Sequence, residues 1–366
     1  MRSATRKLKT LLLGFMQSPW KTLGDTVGNV LSARGNDAQR KQLQKLTREA
    51  PVILQIETTN VCNAACVFCA YSSMQRDKGV MSMLLFNKIV NDYAAMGGGP
   101  VSLTPIVGDA LLDPHLLERL RILSAHPLVN QMTMTTNAIA LDRYSDEDVS
   151  FLLESLDCIQ VSIGGLDAAT YRTLYGVDRL PQVQAAMERL LTLKGELANP
   201  ANITFAFRTN DWKFEIRFKQ QLDGYRRRGA FISHIWTYAN YSGVIKSDSE
   251  MNLHVLEGSS KKSESCVYAC VHMAVCWDGR VTACGCADFE GKSLWIGQVD
   301  EDSLGELWCG EKRSRILDSF HNGRLTPICR QCTAYQPDSI FAQPFFKDVT
   351  PRQPLPLKYL HQFWGG

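Results

Sequence analysis

A chain of 366 residues, 45% of them apolar, can form one large domain or a large and a small one, which excludes a small isolated scaffold. The 40 basic and 37 acidic residues leave a net charge of only +3, so composition does not indicate a nucleic-acid-binding protein. The longest apolar runs, such as residues 10–16, are far shorter than the roughly 20 residues of a membrane-spanning helix.

The twelve cysteines could indicate a secreted protein with disulfides, but their spacing favours metal ligation. The chain shows no signal peptide with a small-residue cleavage site. Residues 62–69 hold three cysteines, 266–309 hold six, and Cys329 and Cys332 follow, which leaves Cys158 alone in a predicted strand. A lone cysteine in a strand is most simply a buried apolar residue. We therefore predict metal sites in a reducing cytoplasm.

Residues 1–50 form a predicted N-terminal extension with two amphipathic helical patterns, one on either side of Ser18-Pro19. Their apolar faces comprise Leu8, Leu11, Leu12, Phe15 and Met16, and then Leu23, Val27, Val30 and Leu31. Every charged residue before Asp25 is basic. This bias is compatible with weak contact with a membrane surface, whereas the apolar faces favour helices packed on the catalytic domain.

From residue 51 to about 250 the pattern alternates between strands and helices. The predicted strands are 52–58, 101–107, 129–135, 158–163, 202–208 and 231–237. The predicted helices are 83–96, 115–125, 146–155, 167–174, 182–195 and 213–228. Six such β/α units predict an α/β fold, a partial (β/α)6 TIM-like barrel whose chemistry lies at the carboxyl ends of the strands.

After residue 250 the alternation stops, and cysteines, glycines and short β-like segments follow. This change of pattern predicts a small cysteine-rich α+β domain over residues 251–340. A tail rich in proline and aromatic residues occupies 341–366.

The first cysteine group lies in the segment IETTNVCNAACVFCAY at 56–71, directly after the first predicted strand. Four thiolates usually saturate an iron–sulfur cluster or a tetrahedral zinc ion. Cys62, Cys66 and Cys69 supply only three, so a cluster bound here would keep one metal position open and reactive. A zinc site completed by a distant residue is the alternative.

The spacing Cys62-x3-Cys66-x2-Cys69, with Phe68 before the last cysteine, resembles the signature of the radical S-adenosylmethionine (radical SAM) enzymes. The resemblance spans roughly residues 51–240. It implies a [4Fe-4S] cluster on the three cysteines, with SAM chelating the fourth iron through its amino and carboxylate groups. One electron would then cleave SAM to methionine and a 5′-deoxyadenosyl radical that abstracts a hydrogen atom from the substrate.

The same resemblance implies cofactor contacts for Phe68 and for four residues at strand ends. Segment 107–114, VGDALLDP, is similar to the family's Gly-Gly-Glu-Pro segment, which binds the SAM amino group, so Gly108 and Asp109 are the predicted contacts. Segments 135–138 and 161–171 resemble the ends of strands three and four, which implicates Asn137 and Ser162. Local capping of the strand ends is the alternative role for these last two side chains.

The later cysteines read Cys266-x12-Gly279-x4-Cys284, followed by Cys329-x2-Cys332. This arrangement resembles the SPASM or twitch extension of radical SAM enzymes. It implies that 251–340 is an auxiliary-cluster domain with one auxiliary [4Fe-4S] cluster, ligated by Cys266, Cys284, Cys329 and Cys332. A structural zinc ion is the alternative. Cys270, Cys276, Cys286 and Cys309 stay unassigned, and Cys286 is the best candidate for an alternative ligand or a working thiol.

A saturated auxiliary cluster favours an oxidoreductase that dehydrogenates a small-molecule alcohol or amine, such as a sugar or aminocyclitol, with that cluster as electron acceptor. The alternatives are an epimerase with a cysteine hydrogen donor and a maturase that modifies a peptide. About fifty residues precede the barrel, so a peptide substrate would need a separate recognition protein. A purely binding iron–sulfur protein would have no use for an open site.

The expected partners are a small-molecule substrate and a reductant such as flavodoxin or ferredoxin, with no nucleic acid. The substrate itself is not encoded in any motif. Five residues at or after the late strands are candidates to line its pocket: Arg208, Trp236, Tyr238, Asn240 and Tyr241. Aromatic residues there are as often core as contact.

Overall fold

The computed structural model describes residues 37–356, apart from positions 210, 250–252, 260, 344–345 and 347. The two amphipathic patterns predicted within residues 8–31 lie outside the described residues, as does the end of the tail from 357. In the described part, no helix is both long and apolar enough to cross a bilayer.

The strands follow the predicted alternation closely. They are β1 (Ile53–Ile56), β2 (Gly99–Ser102), β3 (Val129–Thr136), β4 (Cys158–Ile163), β5 (Asn202–Arg208), β6 (Ala230–Ile235), β7 (His272–Val275), β8 (Arg280–Thr282) and β9 (Trp295–Gln298). Within the described residues they form one sheet in the order β6-β5-β4-β3-β2-β1-β7-β8-β9. Strands β1 to β6 are parallel, as the predicted partial (β/α)6 barrel requires.

Helices follow most of the barrel strands and cover the outside of the sheet. The α-helices of the described chain are α1 (Asp37–Glu49), α2 (Met83–Ala95), α3 (Leu116–Ala125), α4 (Asp146–Ser155), α5 (Ala168–Tyr175), α6 (Leu180–Glu196), α7 (Phe214–Arg217), α8 (Lys219–Arg227), α9 (Val267–Val271), α10 (Leu304–Cys309), α11 (Glu311–His321) and α12 (Pro327–Gln331). Short 3-10 turns occupy Ala70–Ser73, Ala110–Leu112, Ile139–Arg143, Tyr241–Gly243 and Asp338–Ala342. Cys158 is buried in β4, as its isolation in the sequence predicted.

Two predicted elements differ from the structure for local reasons. Strand β2 ends at Ser102 rather than at residue 107, because the Ser102 hydroxyl accepts a hydrogen bond from the Thr104 backbone N–H and turns the chain. The helix predicted over 213–228 is two helices, because the backbone of Phe218 leaves the helical region. The first difference moves the carboxyl end of β2 back by five residues, and the second leaves the strand ends in place.

The cysteine-rich region continues the barrel sheet instead of forming a separate one. Strand β7 lies parallel to β1, with His272 opposite Ile53 and Val275 opposite Ile56. Strands β8 and β9 then add in antiparallel fashion. Strand β1 is therefore central and wholly buried, and the predicted division near residue 250 falls inside one continuous sheet. This places the chain segments around β7 and β8 beside the first cysteine loop.

Helix α1 lies at the end of the predicted N-terminal extension and packs against the cysteine-rich region. Arg40 forms an ion pair of 2.8 Å with the buried Asp338, and the Trp308 indole N–H donates to the Thr47 carbonyl at 3.0 Å. The described part of the extension is thus a helix packed on the protein.

Candidate functional site

The loop that carries Cys62, Cys66 and Cys69 is held by the end of helix α5. The backbone N–H groups of Ala65 and Val67 donate to the carbonyls of Tyr175 and Leu174, each at 3.0 Å. The Tyr71 hydroxyl accepts from the Cys62 N–H at 3.0 Å. These bonds fix a loop that has no regular secondary structure of its own.

A buried ion pair closes this loop at its base. Glu57 follows β1, Arg76 lies beyond the three cysteines, and both side chains are almost wholly inaccessible to solvent. The guanidinium donates to both carboxylate oxygens, with Nη2 to Oε2 at 2.7 Å, and its Nε donates to the Phe289 carbonyl at 2.7 Å. The pair therefore ties the cysteine loop to both the barrel and the cysteine-rich region.

We expect Arg76→Met to lower the free energy of unfolding by about 3–5 kcal/mol, because it leaves the Glu57 carboxylate buried without its partner. Urea unfolding of the purified protein measures this change. Arg315→Met is the matched control, since Arg315 pairs with Glu311 on the surface and such pairs contribute about 0–1 kcal/mol. Adding Glu57→Gln should recover part of the loss, and equal effects of Arg76→Met and Arg315→Met would contradict the prediction.

The three cysteines line one cavity of about 360 Å³ at the carboxyl ends of the strands. Every cofactor contact predicted from the sequence lines it too: Phe68, Gly108, Asp109, Asn137 and Ser162. The structure thus brings together residues that span a hundred positions of the chain. Their individual contacts with SAM stay predictions.

Gly108 and Asp109 join the ends of the first three strands. A side chain on Gly108, whose φ is +134°, would come within 2.9 Å of the backbone of Thr59 and Asn60, so only glycine fits there. The buried Asp109 carboxylate accepts hydrogen bonds from the Thr136 hydroxyl at 2.8 Å and the Asn137 N–H at 2.7 Å. Burial raises the pKa of Asp109.

Asn137 faces the first cysteine loop directly. Its side-chain amide donates to Asn63 at 2.8 Å and lies 3.7 Å from the Cys62 sulfur. An N–H group directed at a ligating sulfur tunes a metal site from its second shell of contacts. Asn137 also accepts from the Ile139 N–H at 2.9 Å, so the capping role and the role facing the cysteines coexist.

Ser162 belongs to a polar chain inside the cavity. Its hydroxyl accepts from the Arg208 Nε at 2.8 Å and lies 2.8 Å from the Tyr175 hydroxyl. The Arg208 guanidinium lies 4.5 Å from the Phe68 ring centroid and 5.7 Å from that of Tyr238. Arg208 is thus a buried cation held by ring stacking, which suits an anionic group such as a carboxylate.

Phe68 forms the aromatic side of this arrangement. Its ring stacks on Tyr238 at a centroid distance of 5.1 Å and meets Tyr175 edge-on at 5.3 Å. Tyr241 also lines the cavity, and it packs against the same buried cluster as Cys69. Tyr241 has a φ of +41°, a strained backbone conformation for a residue with a side chain, of the kind that concentrates at functional sites.

The later cysteines surround a second, smaller cavity. Its lining includes all four predicted auxiliary ligands and the unassigned Cys286: Cys266, Cys284, Cys286, Cys329 and Cys332. Cys266 caps α9, and Cys332 caps α12. Elements far apart in sequence therefore converge on one volume.

The loop with Cys284 and Cys286 is folded around the buried Asp288. Its carboxylate accepts from the Leu294 N–H at 2.7 Å and from the Thr282 hydroxyl at 3.2 Å. A side chain on Gly285 would collide with the Gln55 amide oxygen at 1.9 Å, so glycine lets this loop lie against β1.

The two cavities share a wall. Four residues line both of them: Tyr268, Cys286, Ala334 and Tyr335. A molecule in the larger cavity is therefore separated from the second cysteine group by a single layer of side chains. Cys286 is the one cysteine of the described chain that borders both volumes.

Comparison with known protein families agrees with this geometry. The model of the radical SAM superfamily matches residues 56–198, which contain the first cysteine loop and the cavity ends of β1 to β4. Residues 56–198 form a radical SAM domain. An iron–sulfur cluster-binding SPASM domain matches residues 266–333, which contain all five cysteines of the smaller cavity.

Among curated proteins, part of this chain is similar to GTP 3′,8-cyclases. It is 30% identical to that of Chlorobaculum tepidum over 138 residues, which are 38% of this chain and 40% of the relative. It is 29% identical to that of Pasteurella multocida over 140 residues, 37% of this chain and 40% of the relative. The chain thus spans about two fifths of the length of the curated relatives that it matches.

Two solved structures share the fold at 15% sequence identity each. BtrN in complex with AdoMet and 2-DOIA matches with a TM-score of 0.54, and the match covers 79% of this chain and 95% of the BtrN chain. SuiB of Streptococcus suis, bound to the precursor peptide SuiA, matches with a TM-score of 0.57, and the match covers 90% of this chain and 79% of the SuiB chain. At this identity the likeness shows a shared fold.

The radical SAM domain implies a [4Fe-4S] cluster and SAM, and the SPASM domain implies auxiliary iron–sulfur binding. The residues present fit both groups. In the described residues no three side chains are placed to hold a single metal ion. A cubane cluster makes a different demand, because each cysteine binds a different iron and the ligands surround a volume. Both cysteine groups line cavities in this way.

Burial raises the pKa of the ligand thiols, that of Cys62 to about 12 and that of Cys266 to about 11. A thiol with a raised pKa keeps its proton at neutral pH until metal displaces it. Cluster assembly should therefore release protons. The predicted assignment of seven cysteines to two clusters stays a prediction, with Cys286 as the alternative ligand.

The structure places three of the five predicted pocket residues at the larger cavity. Arg208, Tyr238 and Tyr241 line the larger cavity, whereas Trp236 and Asn240 lie outside its lining. The Trp236 ring stacks on His234, and Asn240 hydrogen-bonds to Thr333. The structure therefore does not place Trp236 and Asn240 in the lining, although their chain neighbours Thr237, Tyr238, Ala239 and Tyr241 belong to it.

The other unassigned cysteines lie away from both cavities. Cys270 and Cys276 are buried, and Cys309 is exposed with its sulfur 3.6 Å from the Arg48 carbonyl. None of the three lines either cavity.

Four residues at the two sites escaped the sequence analysis: Gln55, Tyr175, Lys262 and His272. Gln55 carried a signal, because a glutamine in an otherwise apolar strand needs a polar neighbour. Tyr175 lies four residues beyond segment 161–171, which resembles the end of strand four in the family. His272 and Lys262 flank Cys266, but only the folded chain places His272 at the larger cavity and Lys262 against the carbonyls of Cys329 and Cys332.

Proposed function

We propose that this chain cleaves SAM reductively and uses the 5′-deoxyadenosyl radical to oxidise a small-molecule alcohol or amine, such as a sugar or aminocyclitol. The second electron would pass to the auxiliary cluster. The observation that carries the proposal is the shared wall, which brings a molecule in the larger cavity next to the second cysteine group. When bound, SAM at the first cluster supplies the radical.

The size and lining of the larger cavity support a small polar substrate. The cavity of about 360 Å³ must also accommodate the first cluster and SAM, which limits the room left for a substrate. The Gln55 amide donates to the Thr104 carbonyl at 2.8 Å, and its buried oxygen accepts no hydrogen bond from the described residues. That oxygen would accept one from a substrate hydroxyl or amine.

His272 is the chain's candidate proton acceptor. It lines the larger cavity on β7, and a side chain on Gly285 would touch both its ring and Gln55. Burial lowers the pKa of His272 to about 4, so the imidazole is uncharged at neutral pH and is only a weak base there.

For an alcohol, the proposed oxidation removes two hydrogen atoms from one carbinol group. The substrate C–H bond breaks, and its hydrogen atom goes to the 5′-deoxyadenosyl radical, which gives 5′-deoxyadenosine. His272 would accept the hydroxyl proton of the remaining carbon radical, and an auxiliary cluster held by Cys266, Cys284, Cys329 and Cys332 would supply the acceptor for its electron, so that a ketone is left. The first cluster would be reduced beforehand by flavodoxin or ferredoxin, and cytoplasmic conditions suit both clusters.

Epimerisation is the second candidate, favoured by the position of Cys286. Its side chain borders the larger cavity, where a thiol could return a hydrogen atom to the opposite face of a substrate radical. The two reactions differ in product, because oxidation removes two hydrogen atoms and epimerisation removes none in net terms.

A panel of aminocyclitols and hexoses, each deuterated at its carbinol carbons, tests the proposed function. With anaerobically reconstituted protein, dithionite and SAM, we expect deuterium in 5′-deoxyadenosine and a product that has lost the label and a further proton. Mass spectrometry measures both. A product with an unchanged molecular formula that gains solvent deuterium would support epimerisation and contradict oxidation.

A further inference from the structure

Lys262 lies directly behind the second cysteine group. It precedes Cys266 by four residues, and its side chain is only 9% exposed. The ammonium donates to three backbone carbonyls at one end of α12: Cys329 at 2.7 Å, Arg330 at 3.0 Å and Cys332 at 2.5 Å. Two of these carbonyls belong to predicted cluster ligands.

This geometry fits a charged lysine. A protonated lysine has three N–H donors and no acceptor, and three carbonyls use all of them. The Tyr335 ring adds a cation–π contact at 5.7 Å. Burial lowers the pKa of Lys262, and the thiols of Cys332, Cys329 and Cys266 act against this shift. Within the described residues no carboxylate forms an ion pair with Lys262, so the three carbonyls hold its ammonium group beside the cysteines.

We propose that Lys262 is a positioning residue whose buried charge raises the reduction potential of the auxiliary cluster. A cluster held by four thiolates is negatively charged, and reduction adds one more negative charge. A fixed cation nearby stabilises the reduced state more than the oxidised state, and the low dielectric of the interior strengthens this effect.

The consequence deepens the proposed function and rests on it: a higher potential makes the cluster a better acceptor for the electron of a substrate radical. The test, however, needs neither substrate nor SAM cleavage. The protein with Cys62→Ala, Cys66→Ala and Cys69→Ala should carry only the auxiliary cluster, so its redox titration reports one couple.

The experiment compares Lys262→Gln, Lys262→Arg and Lys261→Met in that background, by redox titration followed with electron paramagnetic resonance. Glutamine keeps hydrogen-bond donors for the carbonyls but removes the charge, and arginine keeps the charge. Lys261 is the exposed neighbour, so its variant removes the same charge outside the site.

We expect Lys262→Gln to lower the ratio of reduced to oxidised cluster about tenfold at a fixed potential, a shift of about 59 mV for one electron. Lys262→Arg and Lys261→Met should leave the ratio nearly unchanged. An unshifted potential in Lys262→Gln would overturn the proposal. Loss of the cluster from Lys262→Gln would also overturn it, because the lysine would then only support the loop. Either failure would leave the oxidation proposal standing.

Discussion

Replacement of Cys62, Cys66 and Cys69 together by alanine is expected to abolish 5′-deoxyadenosine formation while the protein keeps one cluster. With two cubane clusters the reconstituted wild-type protein should hold about eight irons and eight sulfides, and the triple variant about four of each. The reason is that the two cysteine groups line separate cavities, so loss of one leaves the other group's ligands in place.

Iron and sulfide analysis and chromatographic detection of 5′-deoxyadenosine measure the two effects. Cys309→Ala is the control, since this exposed cysteine lies outside both cavities and its loss should change neither value. A triple variant that still formed 5′-deoxyadenosine would disprove the assignment of the open cluster. A wild-type count of only four irons would remove the auxiliary cluster.

The second large effect distinguishes oxidation from epimerisation. In a dehydrogenase, Cys329→Ala with Cys332→Ala should suppress product while SAM cleavage persists, because the substrate radical has no acceptor for its electron. Cys286→Ala should then matter little. Product and 5′-deoxyadenosine are quantified in the same reaction. An uncoupled enzyme forms 5′-deoxyadenosine without forming product.

An epimerase would reverse this pattern. Hydrogen return requires the S–H form of Cys286 and its access to the substrate radical, and a low thiol pKa would not help. Burial raises the pKa of Cys286 to about 12, which keeps the thiol protonated. Cys286→Ala and Cys286→Ser would both stop turnover, and D2O would place one deuterium at the inverted carbon. Those results would exclude oxidation as the main reaction.

Local sequence determined most of the secondary structure and the first metal site. Three cysteines within eight residues lie on one loop wherever that loop is placed. Apolar residues at every second position predict the strands, and apolar residues at helical spacing predict the helices. The resemblance of their segments to the radical SAM family implied that Gly108, Asn137 and Ser162 contact one cofactor, and all three line one cavity at the carboxyl ends of the strands.

Only the tertiary structure decided how the cysteine-rich region meets the barrel. An apolar strand pattern shows which residues are buried but not which neighbouring strand they pair with, so the alignment of β7 with β1 was not predictable. That pairing lays Gly285 against Gln55 and makes Cys286 part of the wall between two cavities. Contacts between residues hundreds of positions apart depend on the packing of whole elements, which short motifs do not encode.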